Sequence, residues 1–209
     1  MIRVLIADDH DVVRKGLKQI IAEEFHNADI HEAADGNELI KKVHAERFDI
    51  VISDISMPGR SGLESLKQLK EEYPKLPVLI LSMHPEDQYA LRVLKSGASG
   101  YLTKESVADE LVKAVKQILG GRRYISVNVA EKLAESLDQN TDKELHENLS
   151  NREFDVLKLI ASGKTVSEIA KVFSLSVNTI STYRARILEK MNFKNNAELT
   201  HYSIVKKLV

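Results

Sequence analysis

The chain has 209 residues, 43% of them apolar and 29% charged, with a formal net charge of −1 at neutral pH. That length suits one or two domains with real cores, and the absence of cysteine excludes a disulfide framework and a thiolate metal site. No apolar run approaches the roughly 20 residues that span a bilayer, and Met1-Ile2-Arg3-Val4-Leu5-Ile6 reaches Asp8 without a signal-peptide pattern, so a soluble cytoplasmic protein is expected.

Apolar spacing predicts five strands alternating with five helices. Residues 4–7 read as a buried strand, and residues 12–24 as a helix with Val13, Leu17, Ile20 and Ile21 inward. Residues 29–34 form a weaker, polar-mixed strand suited to a sheet edge, followed by a helix over 36–47 with Leu39, Ile40 and Val43 inward. Ile50-Val51-Ile52 is a central strand, Met57-Pro58-Gly59 a loop, and Leu63, Leu66 and Leu69 mark the next helix. A strand at 78–81, a helix near 86–95, a strand at 100–103 and a helix over 106–119 complete the series, which Gly120-Gly121 ends. Such alternation predicts an α/β fold, a doubly wound five-stranded parallel sheet covered by helices on both faces, over residues 1–121.

Residues 122–147 read as a linker, with a short helix over 129–137 and a solvated tether over 138–142. Residues 148–209 read as a smaller all-α domain. Ser150-Asn151-Arg152-Glu153 and Thr165-Val166-Ser167-Glu168 are capping boxes. The first opens a helix with Phe154, Leu157, Ile160 and Ala161 inward, and the second a helix with Ile169, Ala170 and Phe173 inward. Phe173-Ser174-Leu175 is a tight turn, and Ser176 caps a longer helix over 177–191 with Ile180, Ile187 and Leu188 inward. The last helix, 196–207, buries Leu199, Tyr202 and either Val205 or Ile204. A short helix, a three-residue turn and a longer helix make a helix-turn-helix pattern. Charge agrees: residues 148–209 carry 10 basic and 5 acidic side chains, against 18 and 20 in residues 1–125, so the basic end suits a polyanion.

The predicted strands end in Asp8 and Asp9, Asp54, Ser82 and Lys104. In a parallel sheet these groups converge at the carboxyl edge, where open α/β sheets bind ligands. Three carboxylates together need a cation, and Mg²⁺ suits oxygen ligands and phosphate. Asp8, Asp9 and Asp54 would hold it, with the backbone carbonyl of Ser56 at another position. Asp54 would accept the phosphoryl group while Lys104 neutralises charge and Ser82 donates a hydrogen bond. Singly, paired Asp after a strand is also a turn and helix cap, and Asp54 a loop residue. Four complementary strand ends in order make coincidence a poor account. The histidines at 10, 26, 31, 44, 84, 146 and 201 lack metal-ligand spacing and are assigned to the surface.

Asp8-Asp9-His10, Asp54 with Met57-Pro58-Gly59 and Gly62, Ser82, and Gly97-Ala98-Ser99-Gly100-Tyr101-Leu102-Thr103-Lys104 resemble a two-component receiver domain. Leu149-Ser150-Asn151-Arg152-Glu153, Ile169-Ala170 and Asn178-Thr179-Ile180-Ser181-Thr182-Tyr183 resemble the LuxR-type helix-turn-helix of NarL/FixJ response regulators. The resemblance implies a flavodoxin-like receiver with Asp54 as phosphoacceptor, a sensor histidine kinase as donor, and Tyr101 as an aromatic switch coupled to Ser82. Lys104 is followed by Glu105 rather than the proline of many receivers. The Ser181-Thr182-Tyr183 sequence is similar to the EvgA/BvgA subgroup, whereas many relatives carry lysine and histidine where Ser181 and Tyr183 stand.

Double-stranded DNA is the expected ligand of the basic end. Ser176, Asn178 and Thr179 open the recognition helix, Ser181, Thr182 and Ala185 face the major groove, and Tyr183, Arg184, Arg186, Lys190, Lys164 and Thr165 meet phosphates. The resulting expectation is a transcription regulator, not an enzyme, with no membrane partner, that pairs as a homodimer when phosphorylated. The alternatives are a phosphorylation-independent DNA-binding regulator and an aspartyl-phosphate hydrolase, although the hydrolase type wants an acid where Ser56 stands.

Overall fold

The computed structural model describes residues 1–58, 60–83, 86–126, 129–131 and 144–209. The chain divides into two compact units, Met1–Gln139 and Asn140–Val209.

In the first unit, β1 (Arg3–Ala7), β2 (Asp29–Ala33), β3 (Ile50–Asp54), β4 (Val78–Ser82) and β5 (Gly100–Thr103) form one parallel sheet in the order β2-β1-β3-β4-β5. The helices between them are α1 (Asp11–Glu24), α2 (Gly36–Ala45), α3 (Gly62–Glu72), α4 (Glu86–Lys95) and α5 (Val107–Leu119). Of the three inner strands, β3 and β4 are buried along their whole length and β1 at all but its first residue, while β2 is half-exposed at the edge. Alternate residues Val4 and Ile6, Ile50 and Ile52, and Leu79 and Leu81 turn to one face. There they meet Leu17 and Ile21 of α1 and Leu111, Ala114, Val115 and Ile118 of α5. Burying each such side chain is worth about 1.5–3 kcal/mol, so a one-residue slip that turned them outward is strongly disfavoured. Register is thereby fixed: Ala7 stands opposite Ser53, Asp54 opposite Leu81, and Ser82 opposite Thr103, which brings the four strand ends to one edge.

The chain stays with this unit beyond Gly121. Tyr124 bridges to Gly100 alongside β5, its amide donates to the Ser99 carbonyl at 2.8 Å, and its ring joins the core. The predicted helix over 129–137 is visible as helix at 129–131. Residues 132–143, with the tether, lie outside the described residues, as do Gly59 and His84.

The second unit begins with a 3-10 turn, Leu145–Asn148, followed by α6 (Asn151–Ala161), α7 (Val166–Val172), α8 (Val177–Met191) and α9 (Asn196–Val205). Both predicted capping boxes are present: Glu153 accepts from the Ser150 amide at 2.7 Å and Glu168 from the Thr165 amide at 2.8 Å. Ser174 takes a left-handed conformation (φ 52°) in the turn before α8. Phe154, Leu157, Ile160, Ile169, Ile180, Ile187, Met191 and Leu199 form the core.

Three expectations change here. Ile204 and Val205 are both exposed, at 60% and 61%. Ser203, one turn after Leu199, takes the inner position, and Lys207 (φ 52°) turns the chain so that Leu208 folds back and its amide bonds the Ser203 carbonyl at 2.8 Å. His146 is half-buried rather than on the surface: its ring stacks on Phe154 at 5.7 Å, and Nδ1 lies 2.9 Å from the Tyr202 hydroxyl. Glu144 pairs with Lys206 at 2.6 Å, so the end of the expected linker belongs to this unit.

Candidate metal centre and nucleic-acid interface

Strand order reverses between β1 and β3, the switch point at which doubly wound sheets open a crevice. Asp8 and Asp9 follow β1 and Asp54 ends β3 at that place. Asp8 and Asp54 are buried, while the Asp9 side chain is partly open. Lys104 follows β5 and is pinned by its own amide, which donates to the Ser82 carbonyl at 2.8 Å. Its Nζ lies 2.6 Å from Asp8 Oδ2 and 3.0 Å from Asp54 Oδ2. Asp8, Asp9, Asp54 and Lys104, predicted from three separate strand ends, therefore meet. Ser82 is buried at the end of β4, next to the Asp54 strand, and Tyr101 is 1% exposed on β5, opposite Ile80. Ser56 lies exposed beyond β3.

Glycine makes room for this arrangement. A Cβ at Gly62 would sit 1.9 Å from the Asp54 carbonyl oxygen, so α3 can begin against the Asp54 backbone only because position 62 lacks a side chain. The Gly62 amide donates to the Ile55 carbonyl at 3.0 Å and closes the loop.

Three carboxylates face one ammonium. Burial pushes the Asp54 carboxyl above its usual range; Lys104 pulls it back, and Asp8 pushes it up again. Lys104 is itself raised: burial opposes its charge, but contacts with Asp8 and Asp54 outweigh that. Asp54 Oδ1 is buried without a hydrogen bond of normal geometry, although the nearby Ser56 amide favours its charged form. A buried, unpartnered carboxylate oxygen beside surplus negative charge fits a divalent cation. Ligand atoms of Asp8, Asp9, His10 and Asp54 all lie within 4.8 Å of one another. His10 has no metal-ligand spacing to the other histidines; its position directly after two aspartates is the sequence signal for its place here. Tyr89 on α4 is buried as fully as Tyr101, and no sequence feature marked it.

On α8, Ile180 and Ile187 are buried, and Ser181, Thr182, Ala185 and Arg186 are exposed on other faces. Ser176 caps the helix by accepting from the Thr179 amide at 3.0 Å, and Asn178 is exposed beside it. Thr179 and Tyr183 are half-exposed. The Thr182 hydroxyl donates to the Asn178 carbonyl at 3.0 Å, leaving its lone pairs outward. Lys164 and Thr165 are exposed at the start of α7, with Thr165 serving as its cap. Two cations predicted to meet phosphates have protein partners. Arg184 donates to Asn196 at 2.6 Å, and Lys190 pairs at 2.6 Å with Glu153, whose side chain is 3% exposed.

Burial raises the Glu153 carboxyl, but Lys190 and Ser150 more than offset this and hold it below its usual range. Lys190→Met leaves that carboxylate buried without its cation and is expected to cost about 1.5–3 kcal/mol in denaturant melts. Because the folded-state value is depressed, the pair stabilises fully above the ordinary glutamate range near 4.3 and fades as pH falls through the lower folded value. The deficit of Lys190→Met should shrink over that acidic window; a pH-independent deficit would contradict the ion pair.

Comparison with known proteins agrees in both units. Residues 4–116 match the response regulator receiver domain, and residues 147–203 match the bacterial regulatory proteins of the luxR family. The response regulator UvrY of Escherichia coli K12 is 33% identical over 98% of this chain and 94% of its own length. The oxygen regulatory protein NreC of Staphylococcus carnosus is 35% identical over 99% of both. Among solved structures, RcsB of Salmonella enterica serovar Typhimurium, bound to promoter rprA in the presence of the phosphomimetic BeF3⁻, aligns with TM-score 0.61 and 28% identity. The alignment covers 97% of this chain and 98% of that one.

Proposed function

The chain belongs to the response regulators that join a receiver domain to a luxR-family DNA-binding domain, and from that premise we propose how its residues divide the work. It is a DNA-binding transcription regulator of a two-component system, not an enzyme. Asp54 accepts a phosphoryl group from a sensor histidine kinase. The observation that carries this assignment is the buried Asp54 carboxylate with one oxygen held by Lys104 and the other unpartnered.

Asp54 Oδ1 attacks phosphorus in line, the new O–P bond forms, and the bond from phosphorus to the donor nitrogen breaks with its electron pair leaving on that nitrogen. Lys104 stays against the carboxylate edge and neutralises charge on the phosphoryl oxygens, to one of which the Ser82 hydroxyl donates. Mg²⁺ held by Asp8, Asp9, Asp54 and the Ser56 carbonyl would supply charge neutralisation and orientation for the transfer. Because phosphoryl transfer depends chiefly on positioning, a pocket built on four fixed strand ends supplies what the chemistry needs.

The movement of Ser82 towards the phosphoryl group biases a two-state receiver that Tyr101, already inward, reports. The helix-turn-helix then engages DNA. The amides at the start of α8, the exposed Arg186 and Lys164 and the half-exposed Tyr183 meet phosphates, Ser181, Thr182 and Ala185 read base edges, and hydroxyls tolerate more than one base. Resemblance of Ser181-Thr182-Tyr183 to the EvgA and BvgA regulators is part of the same proposal. Two copies pair when phosphorylated, over half-sites one helical turn apart, and the protein works in the cytoplasm.

Fluorescence anisotropy of a labelled duplex with the full chain tests this proposal. Phosphodonor with Mg²⁺ should tighten binding within about 5–150-fold, the range of ordinary allosteric coupling. Log K should fall with log salt by about 0.9 per phosphate contact. Unchanged affinity after verified phosphorylation would overturn the switch, and a flat salt slope would overturn the phosphate contacts.

A further inference from the structure

A cavity of about 580 Å³ opens at the amino ends of β3 and β4, between the loop that leads into β3 and the loop that joins α3 to β4. The same strands carry Asp54 and Ser82 at their other ends, so the cavity stands a strand length of about 15 Å from the acidic pocket. Its walls are apolar and largely flat: the rings of Phe48, Tyr73, Pro74 and Pro77, with Val43 and Leu76 between them. Both loops are held without a ligand. The Asp49 amide donates to the Arg3 carbonyl at 2.8 Å, and Asp49 Oδ2 accepts from the Arg3 amide at 2.7 Å. In the other loop the Leu76 amide donates to the Tyr73 carbonyl at 3.0 Å, and Lys70 Nζ holds the Leu76 carbonyl at 2.5 Å. Proline fixes φ at positions 74 and 77 and restricts the residue before each. A preformed, mostly apolar cavity of roughly 300–1,000 Å³ is the usual form of a small-molecule site.

The charges around this cavity differ in their engagement. Glu46 pairs with Arg3, and Asp49 is held by the Arg3 amide. Arg47 and Lys75 also line the cavity and are exposed, and neither side chain has an ion-pair partner among the described residues. Acids already held and cations still open favour an occupant with a negative end, and ring-lined walls favour a flat apolar body. We propose that this cavity binds a small aromatic carboxylate, its rings against Phe48, Tyr73 and the two prolines and its carboxylate towards Arg47 and Lys75. The receiver thereby has a ligand site besides the phosphoryl pocket, and the assignment does not depend on the roles given to Asp54 and its neighbours.

The test is titration of the ¹⁵N-labelled full chain with 2-naphthoate, its neutral analogue 2-naphthamide and the flexible acid decanoate, followed by amide NMR shifts. For 2-naphthoate, saturable shifts should centre on residues 46–49, 73, 75 and 76. It should bind about 3–30-fold more tightly than 2-naphthamide, the worth of two exposed ion pairs, and more tightly than decanoate, which loses more freedom on binding. Arg47→Ala combined with Lys75→Ala should abolish the preference for the acid and leave 2-naphthamide affinity unchanged. Tyr73→Ala removes one wall and should weaken both naphthalene compounds by a similar factor. All three substituted side chains are exposed, and unaltered amide shifts in β1, β3 and β4 check that the fold is kept. Shifts confined to the basic helix-turn-helix, or no saturable shifts in the two loops, would overturn the site. Equal affinity for acid and amide, or a preference that survives loss of both cations, would overturn the carboxylate; tighter binding of decanoate would overturn the aromatic body.

Discussion

Asp54→Asn is expected to reduce phosphoryl incorporation from a small phosphodonor to background, measured by intact mass after incubation with Mg²⁺. The substitution keeps the shape of the side chain but replaces the attacking carboxylate with an amide whose electrons are delocalised and whose charge is gone. Any covalent label that persists at wild-type level would place the acceptor elsewhere. The same variant should be more stable than the wild type at pH 7 without divalent cations. Burial and Asp8 raise the folded-state value of Asp54 despite Lys104, so its carboxylate is ionised against opposition. A raised folded value means that the cost is absent below the unfolded value near 3.9, grows as pH rises between the two values, and is complete above the folded one. Thermal melts in chelator should therefore show an advantage for Asp54→Asn at neutral pH that disappears on acidification, and added Mg²⁺ should stabilise the wild type alone.

The sheet and its site are legible in the sequence because the same residues carry two patterns. In β3, Ile50 and Ile52 face one side and Val51 the other, and the run ends in the one group that cannot stay in a core unpaired, Asp54. Strand ends are the only places on a buried parallel sheet where a carboxylate or ammonium can reach a crevice. Asp8, Asp54, Ser82 and Lys104 are therefore visible as interruptions. Long-range contacts leave weaker traces. Nothing local distinguishes Lys190, paired with Glu153 at 37 positions' remove, from the basic residues around it. Ser203 stands four residues after Leu199 and so shares its stripe, whereas only their apolarity favours Ile204 and Val205; the left-handed turn at Lys207 then supplies the missing apolar cover by bringing Leu208 inward. Tyr124 follows a glycine pair that ends a helix, and its return along β5 depends on an open sheet edge. His10 meets Asp8 and Asp9, its immediate neighbours, so no spacing between separate elements marks its contact with the pocket.

Gly62→Ala is expected to damage phosphoryl transfer without altering any group that touches phosphate. The added Cβ would lie 1.9 Å from the Asp54 carbonyl oxygen, 2.8 Å from its carbonyl carbon and 3.0 Å from Ile55 Cα. All three are backbone atoms, so no rotamer relieves the collision; either the start of α3 or the end of β3 must move. Overpacking of this kind costs about 1–3 kcal/mol, and a displacement of about 1 Å at a reacting group can lower rates about 10²-fold. Denaturant melts and the initial rate of phosphodonor labelling measure the two effects separately. Gly16→Ala supplies the contrast: nothing lies within 4 Å of its added Cβ in the middle of α1, and it should be neutral or stabilise the chain by about 0.5–1 kcal/mol. Labelling at the wild-type rate in Gly62→Ala would show that Asp54 tolerates movement of its own backbone. The expected loss would show that the pocket depends on α3 starting against the peptide of the phosphoacceptor, which only glycine permits.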